Sequence, residues 1–212
     1  MTYLGRYRRK TAGRDPRKVY LILCEGKRTE PDYFQAFSYD ERKYFLRIEG
    51  LGRSTSSLVR TAREYILDAK RERQKYEQVW CVFDKDESPD ADFNSAVQMA
   101  NAAGIRCAYS NEAFELWFVL HFEYWQTASS RHDYCSKLNA LLPGHGGYCK
   151  TRPDMFELLK DRQTTALRNA KRLYDSYPAG AAPAAKNPVT TVFELVEQLN
   201  SLQPAMRTKG TP

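Results

Sequence analysis

The stretch Val19-Tyr-Leu-Ile-Leu-Cys24, which runs directly into Glu25-Gly26, decides the fold of this 212-residue chain. Such a continuous apolar run predicts a strand that is buried on both faces, like a strand in the middle of a parallel sheet. Three more strands are predicted at residues 44–48, 78–83 and 105–109. Helical patterns separate the four strands. This alternation predicts an α/β, Rossmann-like fold with a mostly parallel four-stranded sheet flanked by helices.

Beyond Asn111 the pattern becomes helical, with helices predicted at residues 134–142, 153–174 and 189–202. We therefore divide the chain into four parts. These are a basic flexible arm (1–17), an α/β core (18–125), a helical C-terminal part packed on the core (126–202) and a tail (203–212). Early in the core, Thr29 and Asp32 are spaced like a helix N-cap and the acidic residue three positions after it.

Composition limits the class of protein. No apolar run approaches the roughly 18 residues that cross a bilayer, and the N-terminus lacks the apolar segment of a secretory signal. The five cysteines are an odd number with long spacings and no Cys-x-x-Cys pair, which favours reduced thiols over disulfides or a zinc ribbon. We therefore expect a cytoplasmic protein without a membrane partner.

The formal net charge of +7 is concentrated at the N-terminus. Residues 1–18 contain seven basic residues, Arg8 and Arg9 among them, against a single acidic residue, Asp15. Such an arm can contact phosphates and add salt-dependent affinity for nucleic acid. The alternative is a solvated tail without a function, and the sequence leaves both open.

Acidic residues follow three of the predicted strands. Glu25 follows the first, Asp84 and Asp86 follow the third, and Glu112 lies just after the fourth. Carboxyl ends of parallel strands meet at one edge of a sheet, so these carboxylates are expected to converge and repel one another. Hard oxygen ligands without a nearby histidine or cysteine favour Mg²⁺ or Mn²⁺. The alternative is that these residues cap helices and form turns.

The same residues carry a family resemblance. The stretches that match are Leu23–Glu30 with Tyr33-Phe34, Val82–Glu87, Ser110–Trp117, Leu120–Phe122, Gly147–Lys150 and Asn187–Thr190. In this order, over about residues 18–202, they resemble the RloB family of bacterial Toprim-like proteins. One departure is Glu112, where the family usually has a proline after Ser-Asn.

The resemblance implies a Toprim-like fold and metal-dependent phosphodiester chemistry. In Toprim domains the glutamate after the first strand acts as general acid or base and the Asp-x-Asp motif binds Mg²⁺, which assigns these roles to Glu25, Asp84 and Asp86. Glu25 is also a candidate metal ligand. RloB-like genes are associated with anti-phage defence and lie beside a gene for an ABC-type ATPase, which makes that ATPase the expected partner.

Two functions follow from these observations. The first is a Mg²⁺-dependent nuclease in which Glu115 is a further ligand or catalytic group and Lys27, Arg28 and Lys150 hold phosphate oxygens. The second is a non-catalytic module that binds nucleic acid or a partner through the basic arm and the aromatic segment 114–125. The alternative explanation of that segment is a core helix. The sequence leaves open whether the substrate is DNA or RNA, tRNA included. It also leaves open whether the protein forms a homo-oligomer.

Overall fold

The computed structural model, which describes residues 16–204, contains one sheet of five strands. The strands are β1 (Lys18–Cys24), β2 (Tyr44–Gly50), β3 (Gln78–Asp84), β4 (Arg106–Asn111) and β5 (Val189–Thr190). Their order is β2-β1-β3-β4-β5. The first four strands are parallel, as the alternation of strands and helices predicts, and β1 and β3 lie between other strands.

The prediction of four strands is wrong by one strand, and the C-terminal part is not entirely helical. β5 pairs antiparallel with β4, with Ser110 opposite Thr190. The hydroxyls of these two residues are 2.9 Å apart, and the Thr191 N–H donates to the Tyr109 carbonyl. A strand of two residues is too short to show a periodicity in the sequence. Its pairing partner lies about eighty residues earlier in the chain, so no local pattern predicts it.

The helices cover both faces of the sheet. They are α1 (Thr29–Gln35), α2 (Thr55–Arg71), α3 (Asp90–Ala102), α4 (Glu115–Val119), α5 (Arg131–Leu141), α6 (Met155–Leu159), α7 (Gln163–Asp175) and α8 (Val192–Ser201). The single helix predicted over residues 153–174 is thus two helices, α6 and α7, with the 3₁₀ turn Lys160–Arg162 between them. Within residues 16–204, no helix has the length and apolar character that a membrane crossing needs.

Alternate residues of the strands serve two hydrophobic clusters. Tyr20, Ile22 and Cys24 of β1 belong to the cluster under α1 and α4–α8, whereas Leu21 and Leu23 belong to the cluster under α2 and α3. The first cluster therefore joins the α/β core to the C-terminal part. Residues 114–120 are all buried in the protein, as the core-helix interpretation predicts for this part of the aromatic segment.

A small charged network lies on β2, at the edge of the sheet. Arg47 Nε donates to Glu49 Oε1 at 2.7 Å and its Nη1 donates to the Tyr76 hydroxyl at 3.3 Å. The Tyr65 hydroxyl donates to the second Glu49 oxygen at 2.9 Å, and the Arg47 guanidinium lies 4.6 Å from the centre of the Tyr65 ring. We call these four residues the β2-edge network. Its single carboxylate and single guanidinium balance in charge.

Candidate functional site

The carboxyl ends of β1 and β3 bring Glu25 and Asp84 together. The Glu25 N–H donates to the Val82 carbonyl at 2.8 Å, which extends the β1–β3 ladder by one residue. The backbone of Asp84 lies close enough to the Glu25 carboxylate to lower its pKa. Thr55, the first residue of α2, donates its hydroxyl to Glu25 Oε2 at 3.1 Å. Glu25 is thus fixed by the sheet on one side and by α2 on the other.

Asp86 lies two residues beyond β3, where the chain follows the end of β4. The Lys85 N–H donates to the Ser110 carbonyl and the Asp86 N–H donates to the Glu112 carbonyl at 3.1 Å. Asp86 has a φ of +45°, a left-handed conformation that aspartate tolerates better than most residues. Glu112, by contrast, has only its backbone carbonyl in these described hydrogen bonds, and α4 is preceded by Phe114 rather than by Glu112 at its N-cap position.

Glu115 opens α4 and is buried, with 2% of its surface exposed. The Tyr148 hydroxyl donates to Glu115 Oε1 at 2.9 Å. Tyr148 belongs to the Gly147–Lys150 stretch, so two of the motifs that carry the resemblance meet here. Glu115 lies beside Asp84, because Glu115 Oε2 and Asp84 Oδ2 are 3.7 and 2.9 Å from nitrogens of the same guanidinium, that of Arg131.

Glu30 is an acidic residue of this site that the sequence analysis missed. It lies in the first turn of α1, is only 6% exposed, and its Oε2 atom has no hydrogen-bond partner. A Cβ atom on Gly26 would collide with the Glu30 carboxylate, so glycine at position 26 makes room for it. The Glu-Gly-x-x-x-Glu spacing is the signal that could have identified Glu30. An acidic residue in the first turn of a helix is common and usually exposed, so the sequence alone gives no reason to place Glu30 in a buried site.

Arg131, the first residue of α5, lies among these acidic side chains. Its Nη2 donates to Asp84 Oδ2 at 2.9 Å and its Nη1 donates to Asp86 Oδ2 at 3.3 Å. Its Nε lies 3.7 Å from Glu115 Oε2. We call Glu25, Glu30, Asp84, Asp86 and Glu115 the acidic cluster. One arginine bridges three of its five carboxylates.

Burial makes the charged form of several of these carboxylates unfavourable. Desolvation raises the pKa of Asp84 well above its ordinary value, and the charges of Glu30 and Glu115 add to the effect, against Arg131. Desolvation also raises the pKa of Glu30 and, against the hydrogen bond from Thr55, the pKa of Glu25. The acidic cluster therefore carries a cost in the folded protein that one arginine only partly offsets.

The three described candidates for phosphate binding lie around the N-terminus of α1. Lys27, Arg28 and Lys150 are all exposed, and the Lys150 charge lowers the pKa of Glu30. The Arg28 guanidinium also pairs with Asp32 at 3.1 Å. Arg8 and Arg9 lie outside the described residues.

The predicted N-cap of α1 is wrong by one residue. Arg28 occupies the N-cap position without a side-chain hydrogen bond, and Thr29 is the first helical residue. The Thr29 hydroxyl instead donates to the Lys150 carbonyl at 2.7 Å. This contact holds the C-terminal part against the start of α1, a tertiary role that local spacing does not reveal.

The acidic cluster fits a divalent cation in its chemistry. Its donors are carboxylate oxygens, which Mg²⁺ and Mn²⁺ prefer, and Glu30 contributes a buried oxygen without a partner. In their present positions, however, no three acidic, histidine or cysteine side chains of residues 16–204 are close enough together to hold a metal ion. Arg131 contacts the oxygens of Asp84, Asp86 and Glu115 in this arrangement.

A family model described as RloB-like protein matches residues 20–199. The chain belongs to the RloB-like family. The matched residues of this RloB-like chain include the whole acidic cluster, Arg131 and the β2-edge network. No match was found among curated proteins or among solved structures.

Proposed function

We propose that the chain is a metal-dependent nuclease of the Toprim type that cleaves nucleic-acid phosphodiester bonds. The observation that supports this most is the acidic cluster itself. Three separate segments contribute carboxylates to the carboxyl edge of a mostly parallel sheet, where α/β proteins usually bind their ligands. A fold gains no stability from crowded, buried acids, so a functional use accounts for their presence better than a structural one.

Asp84, Asp86 and Glu25 would hold Mg²⁺ or Mn²⁺. When bound, such an ion lowers the pKa of a water molecule and offsets charge on the phosphate. Glu25 is also the proton-transfer group, the role that the resemblance implies, and burial raises the pKa of its carboxyl above the ordinary value. Its hydrogen bond from Thr55 fixes the orientation of the carboxylate. Glu115, held by Tyr148, completes the set of acids.

Lys27, Arg28 and Lys150 hold phosphate oxygens of the nucleic acid beside the acidic cluster. Their exposed side chains lie near the N-terminus of α1, so a nucleic-acid strand can reach them without any rearrangement of the core. Arg8 and Arg9 of the basic arm add salt-dependent affinity. Membership of the RloB-like family supports an anti-phage defence role, with an ABC-type ATPase as the partner that controls cleavage in the cytoplasm.

The second candidate function is a non-catalytic module that binds nucleic acid or the ATPase partner. The ion pairs of Arg131 favour it, since they engage Asp84 and Asp86 as a structural network would. A module of this kind would keep the acidic cluster permanently neutralised by protein groups.

The test is incubation of the purified protein with plasmid DNA and total RNA in Mg²⁺ or Mn²⁺, with and without the neighbour-encoded ATPase. We expect cleavage that a chelator stops and that Asp84→Asn abolishes. Glu49→Gln, a change in the β2-edge network, is the matched control and should cleave like the wild type. Cleavage by Asp84→Asn at the wild-type rate would contradict the nuclease mechanism and favour the binding module.

A further inference from the structure

We propose that Arg131 is an internal counter-ion of the acidic cluster that a divalent cation must displace. The proposal rests on the metal site of the proposed function and concerns how that site is regulated. It assigns to α5 of the C-terminal part a role in deciding when the carboxylates become available to a metal.

Arg131 contacts the carboxylates of the acidic cluster as a bound cation would. Its guanidinium reaches Asp84, Asp86 and Glu115 at 2.9, 3.3 and 3.7 Å. These acids come from the end of β3, from the turn that follows it and from the start of α4, so a single cation connects the segments that would otherwise repel. Only 31% of the Arg131 side chain is exposed.

The position of Arg131 is fixed by its own helix. Ser130 and Asp133 form a reciprocal capping box, in which the Ser130 side chain accepts from the Asp133 N–H and the Asp133 carboxylate accepts from the Ser130 N–H at 2.9 Å. Tyr134 and Leu138 on the inner face of α5 are fully buried in the large hydrophobic cluster. Arg131 therefore enters the acidic cluster from a rigid element.

The neutralisation that Arg131 provides is incomplete. The acidic cluster has five carboxylates, Glu30 Oε2 is buried without a hydrogen-bond partner, and the Arg131 Nε atom itself lacks one. A buried polar atom without a partner destabilises the fold, so the present arrangement is not the most favourable for these groups. A divalent cation carries twice the charge and would bind the carboxylates of Asp84 and Asp86, which Arg131 also contacts. It would repel the guanidinium at close range, so the two cations compete.

A different role for Arg131 would be contact with a substrate phosphate beside the metal. That role makes a distinct prediction, because removal of Arg131 would then weaken nucleic-acid binding and leave the affinity for the metal alone unchanged. Competition predicts the opposite effect on the metal, namely tighter binding once the arginine is gone.

The experiment is calorimetric titration of the full chain with Mn²⁺ alone, in wild type, Arg131→Gln, Arg131→Lys and Arg47→Gln. Arg47→Gln removes an arginine that pairs with a single carboxylate in the β2-edge network and controls for the loss of one positive charge from the protein. Melting temperatures are measured in parallel, with chelator and with saturating Mn²⁺. Arg131→Lys keeps the charge but cannot span three carboxylates, and it is the second variant if Arg131→Gln folds only with metal.

We expect Arg131→Gln to bind Mn²⁺ about tenfold more tightly or better, Arg131→Lys to lie between it and wild type, and Arg47→Gln to match wild type. In chelator, Arg131→Gln should melt below wild type, and saturating Mn²⁺ should remove that difference. A folded Arg131→Gln protein whose Mn²⁺ affinity equals or falls below that of wild type would overturn the proposal. The same holds for Arg131→Lys if only that variant folds.

The outcomes separate this proposal from the nuclease. If wild type binds Mn²⁺ and Arg131→Gln binds it no better, the internal counter-ion is wrong and the metal site stands. If neither binds Mn²⁺, both are wrong. If the affinities change as expected and no nucleic acid is cleaved, the counter-ion stands and the nuclease activity does not.

Discussion

Two arginines lie among acidic groups in this protein, and their surroundings differ. Arg47 in the β2-edge network meets one carboxylate, one tyrosine hydroxyl and the face of one tyrosine ring. Arg131 meets three carboxylates of a cluster of five, and its Nε has no hydrogen-bond partner. The first network is balanced in charge, whereas the second has an excess of buried acid.

The difference indicates what each region is for. A balanced network stabilises a sheet edge and has no need of a ligand. An excess of buried carboxylates is costly unless something outside the chain neutralises it, and strongly perturbed pKa values mark such places. The four predictions that follow use the β2-edge network as the matched control for the acidic cluster.

The largest expected effect is on cleavage. Glu25→Gln keeps the shape of the side chain but removes its charge and its ability to move a proton, so the cleavage rate should fall by about 100-fold or more. Glu49→Gln should leave the rate near that of wild type. The measurement is the rate of nucleic-acid cleavage in Mg²⁺, after circular dichroism has shown that both variants fold. Equal cleavage rates in the two variants would mean that the acidic cluster has no larger part in catalysis than the β2-edge network.

Metal should stabilise one region and not the other. At a Mn²⁺ concentration about 100 times the dissociation constant, the free energy of unfolding should rise by about 2.7 kcal/mol. For a chain of this size the melting temperature should then rise by about 5–10 °C. Asp84→Asn should abolish the rise and Glu49→Gln should retain it. The measurement is thermal unfolding with and without Mn²⁺, and an unchanged wild-type melting temperature at millimolar metal would count against the site.

In the metal-free protein, the β2-edge network should contribute more to stability than the acidic cluster does. Arg47→Ala leaves Glu49 with only the Tyr65 hydroxyl and should lower the free energy of unfolding by about 1–2 kcal/mol. Urea denaturation in the presence of a chelator measures this difference. A loss of a few tenths of a kcal/mol or less would mean that the β2-edge network is a surface feature without structural weight.

The smallest expected effect is the pH dependence of Asp84→Asn. Burial and neighbouring acids raise the pKa of Asp84 above its ordinary value of 3.8. At a pH between 3.8 and the raised pKa, the folded protein therefore binds more protons than the unfolded chain. Stability from this group is therefore present at low pH and lost as the pH rises through the folded pKa.

Without metal, Asp84→Asn should be as stable as wild type or more stable by about 1 kcal/mol at pH 8, and the difference should shrink toward pH 4. The measurement is urea denaturation of both proteins across this pH range with a chelator. Comparison of the two proteins at each pH cancels the opposing contribution of buried His121, whose pKa is lowered to about 4. A difference that grows as the pH falls would contradict the raised pKa.

The sequence allowed the first four strands and the edge that carries Glu25, Asp84 and Asp86 to be predicted, because continuous apolar runs are local signals and residues that follow parallel strands share an edge. β5 was missed because pairing with β4, not periodicity, makes Val189–Thr190 a strand. Glu30 and Arg131 were missed for a related reason. Each lies in the first turn of a helix, where a charged residue is ordinary, and only the packing of α1 and α5 places their side chains in the acidic cluster.

The antiparallel strand β5 also affects how the protein is made. The ribosome releases the N-terminal part of a chain first, so β1 to β4 leave it well before residues 189–190. Until then β4 is an open edge that can pair with another chain. The nascent protein can cover the edge of β4 only after residues 189–190 have left the ribosome, and a truncated chain that stops before residue 189 would keep that edge exposed.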